Sequence, residues 1–145
     1  MFSKACEYGI RAMLYIAKNS LRSQRVSLKD IAREVGSPEA FTAKTLQQLV
    51  RNKLLQSIKG PYGGFELTQK QLEETSLSQI VETIDGDGIF KTCGLGLSAC
   101  NASAPCPLHY QFFPIRENLR KTLENAKLID LAKQLDDGVA FLNLE

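Results

Sequence analysis

Three cysteines and the chain's single histidine crowd one stretch: Cys93, Cys100, Cys106 and His109, spaced C-x6-C-x5-C-x2-H. Thiolates are soft ligands that select iron–sulfur clusters, zinc or copper(I). The residues between them are rich in Gly, Ser, Ala and Asn, a composition that can wrap around an ion or a cluster. The close C-x2-C pair of most zinc ribbons is absent. Spacing alone leaves three readings: an iron–sulfur cluster, a zinc ion, or unmetallated thiols that stay inert or form disulfides. Three cysteines leave one coordination position for another residue. His109 is one candidate, and an acidic residue from elsewhere, including a partner subunit, is the other. A thiol enzyme would need His109 as its base together with an oxyanion site, and no such site is suggested. The chain is therefore expected not to be an enzyme. Cys6 is of another kind. It shares a helical stripe with Ile10, Met13 and Ala17 and reads as a buried, inert thiol.

A second constellation lies nearer the N-terminus. Ser27 opens S-L-K-D, a capping box for a helix over Leu28–Val35. Gly36 stands where that helix needs a left-handed residue, Ser37 reads as the next N-cap, and Pro38 as the first residue of a third helix reaching about Lys53. Two helices joined by a three-residue turn containing Gly form a helix-turn-helix. Ala43, Leu46, Leu49 and Val50 are expected to face the core, and Ala40, Lys44, Gln47 and Arg51 make a polar, basic stripe. A short strand over Leu55–Lys59, a Gly-Pro-Tyr-Gly-Gly turn and a returning strand over Phe65–Thr68 predict a hairpin wing. A helix of this kind fits the major groove of DNA. Lys44 can donate to guanine or phosphate, Gln47 and Gln48 to adenine or phosphate, and the methyls of Ala40 and Ala43 can meet thymine. Lys59 at the wing tip can reach phosphate or the minor groove. Ser27, Thr42 and Tyr62 complete the candidate DNA-contacting set. Each residue alone would be ordinary on a protein surface. Their combination points to nucleic acid.

The elements that must position these residues follow from pattern. Ser3 caps a first helix running to about Lys18. Ser76-Leu77-Ser78-Gln79 is another capping box, opening a helix that ends near Asp85-Gly86. A loop over Asp87–Pro105 carries the cysteines. The C-terminal segment turns helical, with one apolar stripe in Phe112, Ile115, Leu119 and Leu123 and a second in Leu128, Leu131, Ala132 and Leu135. Pro114 should kink or restart that helix. The first stripe reads as a dimer interface, since helix-turn-helix proteins present two recognition helices to two half-sites. Three segments follow in one continuous domain: a winged helix-turn-helix over 1–75, a linking helix and cysteine loop over 76–106, and dimerisation helices over 107–145. The fold class is mainly α with a small β-wing.

Composition agrees. With 145 residues, 43% hydrophobic and 23% charged, the chain is neither collagenous nor disordered. The net charge of +2 divides unevenly, residues 1–70 carrying +7 and residues 71–145 carrying −5. A basic N-terminal half suits a polyanion. The apolar run over residues 12–17 is too short to span a bilayer. Lys4, Glu7 and Arg11 argue against a signal peptide. The expected place is the cytoplasm, with no membrane partner.

The chain resembles the IscR/NsrR family of bacterial winged-helix transcription regulators over nearly its whole length. The likeness rests on E-Y-G-I-R-A-M-L-Y-I-A, D-I-A-R-E-V-G-S-P, I-K-G-P-Y-G-G-F-E-L, L-S-Q-I-V-E-T-I-D-G, the three cysteines and the C-terminal L-R-K-T-L. The resemblance implies a winged helix with a long dimerisation helix. It implies a homodimer on a near-palindromic double-stranded operator and a [2Fe–2S] or [4Fe–4S] cluster whose state controls DNA affinity. Cys93, Cys100 and Cys106 match the family's ligand cysteines, and His109 matches the histidine ligand of the IscR branch. Glu7 falls where the nitric-oxide-sensing branch supplies an acidic ligand from the other subunit, and His109 is the preferred fourth ligand. Lys44 and Lys59 occupy positions resembling family DNA contacts. The sequence departs from the IscR branch in three places: six residues rather than five in the first cysteine gap, Ala40 and Ala43 where that branch has polar readers, and Pro114 early in the dimer helix.

Overall fold

The computed structural model describes residues 1–143. Helix α1, Lys4–Ser20, starts where Ser3 Oγ accepts the Cys6 N–H at 3.0 Å. Helix α2, Leu28–Val35, starts where Ser27 Oγ accepts the Asp30 N–H and ends at Gly36 with φ +70°. Both boundaries of α2 are those expected from its capping residues, because both caps are local chemistry.

Helix α3, Glu39–Arg51, begins one residue later than expected. Pro38, not Ser37, is its N-cap, because Pro38 has an extended ψ of 142° and its carbonyl accepts the Thr42 N–H at 2.9 Å. The buried side of α3 is also rotated from the expected stripe. Thr42, Thr45, Leu46 and Leu49 are buried, while Ala43 and Val50 are half-buried. The hydroxyls of Thr42 and Thr45 bond back to the carbonyls of Pro38 and Phe41, which lets two polar residues line the core side.

Strands β1, Gln56–Ile58, and β2, Gly64–Glu66, pair antiparallel with Ser57 opposite Phe65. Val26 adds two backbone bonds with Phe65, so the wing is sewn to the connector between α1 and α2. Helix α4, Gln69–Glu74, is absent from the expectation above, although Thr68 and Gln71 form a full capping box. Helix α5, Leu77–Asp85, follows its capping box at Ser76. Inside the expected loop lies a single turn, α6, Gly88–Lys91, braced by an Asp87–Lys91 ion pair.

Helix α7, His109–Asn125, runs unbroken through Pro114, which neither ends nor restarts it. Pro114 is the sixth residue of the helix, so one intrahelical bond is lost close to an end that already lacks several. Helix α8, Leu128–Asp136, returns to α1 and α4. Its Leu128 and Ala132 join Met13 and Ile16 of α1, Ile31 of α2, Leu46 and Leu49 of α3, Leu72 of α4 and Ile80 of α5 in one core. Backbone bonds from Leu77 N to Ala126 O and from Leu128 N to Thr75 O lock it there. Segment 107–145 is therefore divided, and α8 belongs to the body of its own chain.

The expected dimer stripe is divided as well. Leu123 is only 6% exposed and packs with Cys6, Val81 and Phe90, with Leu119 against the same group. These two are intrachain core, because α7 lies against α5 and α6. Phe112 is half-buried against Gly94, where even a Cβ would come within 2.7 Å of its ring. Of the four, Ile115 is the outward one, at 62% exposed, while Tyr110 and Phe113 are exposed on the other side of the helix.

Candidate functional site

Helix α3 and the wing form one continuous face. Lys44, Gln47 and Ala40 are exposed on α3, and Gln48 and Ala43 are half-buried beside them. Gln47, Val50 and Arg51 on α3 and Ser57, Lys59 and Phe65 on the wing line a cleft of about 460 Å³. Tyr62 stands at the wing tip, 90% exposed. Arg25 fixes that tip by donating to Tyr62 O at 2.9 Å while its guanidinium pairs with Glu66 at 3.2 Å. Arg25 belongs to none of the sequence motifs. Its role depends on Val26 meeting Phe65, which is a tertiary pairing.

Two of the expected DNA-contacting residues have other work. Thr42 is 4% exposed with its hydroxyl on Pro38 O, so it packs α3 and does not reach a groove. The rotation of the buried stripe is the reason. Ser27 is half-buried, and its hydroxyl is committed to capping α2.

The cysteine loop hangs between α6 and the start of α7. Cys93 lies two residues past α6, and Cys106 is anchored by the His109 N–H to its carbonyl at 3.0 Å. The four expected donors come together as two pairs. Cys93 Sγ lies 3.6 Å from Cys106 Sγ, and Cys100 Sγ lies 3.3 Å from His109 Nδ1. His109 is buried, stacked on Phe113 with Tyr110 edge-on. Among the described residues, no three or more His, Cys, Asp or Glu side chains converge as a ready site for one ion. Glu7 sits on α1, ion-paired with Lys4 at 3.1 Å.

One participant escaped the sequence reading. Arg116 donates from Nη2 to Cys100 Sγ at 2.9 Å and from Nη1 to Thr92 O. Arg120, one turn on, donates to Phe90 O at 3.2 Å. Both arginines hold carbonyls at the end of α6, where the partial charge is negative. The signal was legible in principle: His109, Phe113, Arg116 and Arg120 follow at i, i+4, i+7 and i+11, one face of a helix. The Cys93 thiol is shifted below its ordinary value, first by the backbone N–H groups of Leu95 and Leu97, then by Cys106 and the Arg116 charge. Cys6 is the opposite case. Burial, followed by the nearby Asp85 charge, pushes its thiol up to about 12.

Comparison with known proteins agrees with this geometry. Residues 2–134 match the Rrf2 family, described as an iron-dependent transcriptional regulator. A putative HTH-type transcriptional regulator of Aquifex aeolicus is 27% identical over 133 residues, 90% of each chain. The HTH-type transcriptional regulator IscR of Klebsiella pneumoniae is 27% identical over 86% of this chain and 74% of its own. The structure of CymR, the global cysteine regulator of B. subtilis, superposes with a TM-score of 0.74 at 22% identity, covering 92% of this chain and 96% of CymR, a likeness of fold. No described helix is long and apolar enough to cross a membrane. With a winged helix-turn-helix in place and a match that spans all but the chain's ends, this protein belongs to the Rrf2 family of transcriptional regulators, which are not enzymes.

Proposed function

We propose that this chain is a cytoplasmic, homodimeric, DNA-binding regulator that holds an iron–sulfur cluster on Cys93, Cys100, Cys106 and His109 and reads a near-palindromic operator. The observation that carries the cluster is the pairing of the four donors. Two ligands about 2.3 Å from one tetrahedral metal stand roughly 3.8 Å apart. The 3.6 Å Cys93–Cys106 pair and the 3.3 Å Cys100–His109 pair each approach that separation. A dinuclear cluster takes two protein ligands on each metal, whereas a cubane takes one ligand per iron from wider apart. The pairing therefore favours [2Fe–2S] over [4Fe–4S], and it favours either over a single zinc, which would need all four donors at one point.

A bound cluster supplies electron exchange and sensitivity to oxidants and nitric oxide. The chain's own residues couple that state to the DNA face. Arg116 and Arg120 fasten the loop's entry to α7, while α5, α7 and α1 share the group around Cys6, Val81 and Leu123. An ordered loop biases the placement of α7. Ile115, exposed on α7, offers an apolar contact for a second copy. The spacing of two recognition helices then depends on the loop. On each protomer, Lys44, Gln47 and Gln48 with Ala40 and Ala43 face the major groove, and Lys59 and Tyr62 face the adjacent backbone and minor groove.

The test is anaerobic purification followed by the visible spectrum and iron, sulfide and zinc per chain. About two irons and matching sulfide per chain support the cluster. His109→Ala should weaken it and alter its spectrum, and Cys93→Ser should abolish it. Colourless protein that rejects iron and sulfide after reduction overturns the cluster and leaves the transcriptional regulator standing. Equal operator affinity with and without the cluster overturns the sensor.

A further inference from the structure

We infer that the metal-free chain forms one particular disulfide, Cys93–Cys106, and keeps Cys100 as a free thiol. Three pairings are open to the loop's cysteines, and the structure separates them. Cys93 and Cys106 present their sulfurs to each other at 3.6 Å, so a movement of about 1.5 Å brings them to bonding distance. Both are anchored by backbone bonds. The Gly96 N–H holds the Cys93 carbonyl at 2.9 Å, the Leu95 N–H lies 3.4 Å from the Cys93 sulfur, and the His109 N–H holds the Cys106 carbonyl. Cys100 faces elsewhere, its sulfur between Arg116 Nη2 at 2.9 Å and His109 Nδ1 at 3.3 Å. For Cys100 to reach either partner, both contacts must break.

The oxidant is a hydroperoxide. One thiol sulfur attacks the peroxide, forming a sulfenic acid and releasing water. The other thiol displaces the hydroxyl from that sulfenic acid as a second water and closes the S–S bond. Two thiol protons and two electrons leave the protein, and hydrogen peroxide becomes two waters. The bond ties the end of α6 to the start of α7 across a sequence separation of 13, a short loop whose closure entropy is modest. It also takes two of the loop's three thiols. The oxidised chain can no longer offer three thiolates to a metal, a consequence that rests on the cluster reading, although the disulfide itself does not.

The experiment uses the full metal-free chain, native and reduced, treated with one equivalent of hydrogen peroxide. Free thiols, the buried Cys6 included, are blocked with N-ethylmaleimide in denaturant, the disulfide is then reduced, and the released thiols are labelled with iodoacetamide. Fragment mass spectrometry locates each label. The expected pattern is N-ethylmaleimide on Cys6 and Cys100 and iodoacetamide on Cys93 and Cys106, in monomer-mass chains on a non-reducing gel. Cys100→Ser should retain the disulfide, and Cys93→Ser should not transfer it to Cys100–Cys106. A bond involving Cys100, a bond between chains, or no bond in the wild type overturns the inference. A parallel reconstitution of the reduced chain with iron and sulfide keeps the two ideas apart. Cluster formation without the disulfide sinks this inference alone, and the disulfide without cluster formation sinks the cluster reading alone.

Discussion

At the scale of residues, the same functional group behaves in opposite ways according to what surrounds it. Cys6 and Cys93 are both buried thiols, yet Cys6 is held up by burial and the Asp85 charge, and Cys93 is drawn down by N–H donors. Cys6 makes a pH prediction. Its thiol ionises near 9 when exposed and near 12 in the fold, so above pH 9 the unfolded chain loses a proton that the folded chain keeps. Stability contributed by this group is complete below pH 9 and falls as pH rises toward 12, by at most about 1.4 kcal/mol per pH unit. Chemical denaturation of wild type and Cys6→Ala from pH 7 to 10.5 checks this. The variant should be less stable at pH 7, by roughly 1–3 kcal/mol for the lost packing, and should show a shallower fall above pH 9. Parallel curves would refute the assignment. Thr42 and Lys44 make a second comparison. Thr42→Ala should leave operator affinity within about two-fold while costing at most about 1 kcal/mol of stability. Lys44→Ala should weaken binding and lower the slope of log affinity against log salt by about 1. A large affinity loss in Thr42→Ala would return that residue to the DNA face.

At the scale of elements, the wing shows how a short hairpin gains rigidity. Two strands of three residues are too few to stand alone. Val26 adds the missing pairing, and Gly64 permits it, with φ +148° and a would-be Cβ running into the Val26 carbonyl. Gly64→Ala should detach the wing from the α1–α2 connector. DNA affinity should then fall at least about ten-fold, with the helical circular dichroism at 25 °C unchanged, since the core of α1, α2, α3 and α8 does not include Gly64. Retained affinity would mean that the wing does not contact DNA. The capping boxes at Ser76 and Thr68 are equally local, and each is written in four consecutive residues.

At the scale of the whole molecule, α1 is the hub. It touches α2, α3, α5 and α8, so the DNA-facing helices and α8 share one core. This makes Leu123 and Ile115 respond differently, although they belong to one stripe in sequence. Leu123→Ala should cost about 2–4 kcal/mol in unfolding free energy at any concentration that keeps the oligomer unchanged. Ile115→Glu should leave the chain folded and shift sedimentation equilibrium from dimer to monomer. If Ile115→Glu stays dimeric, the Ile115 side of α7 is not the interface.

Much of this protein was legible without a structure because its signals are short-range. Ser27, Gly36, Ser76 and the Gly-Pro-Tyr-Gly-Gly turn act within four or five residues, so α2, α5 and the hairpin lie within a residue or two of where the sequence alone puts them. The three cysteines and His109 were legible as donors for the same reason: ligand chemistry belongs to side-chain type. Their pairing was not, because which sulfur meets which depends on where α6 ends, where α7 begins and how Arg116 divides them. The orientation of α3, the division of the C-terminal stripe and the return of α8 to α1 were likewise decided in three dimensions. An apolar stripe states that a helix face will be covered, and only the packing of the other helices decides whether its own chain covers it.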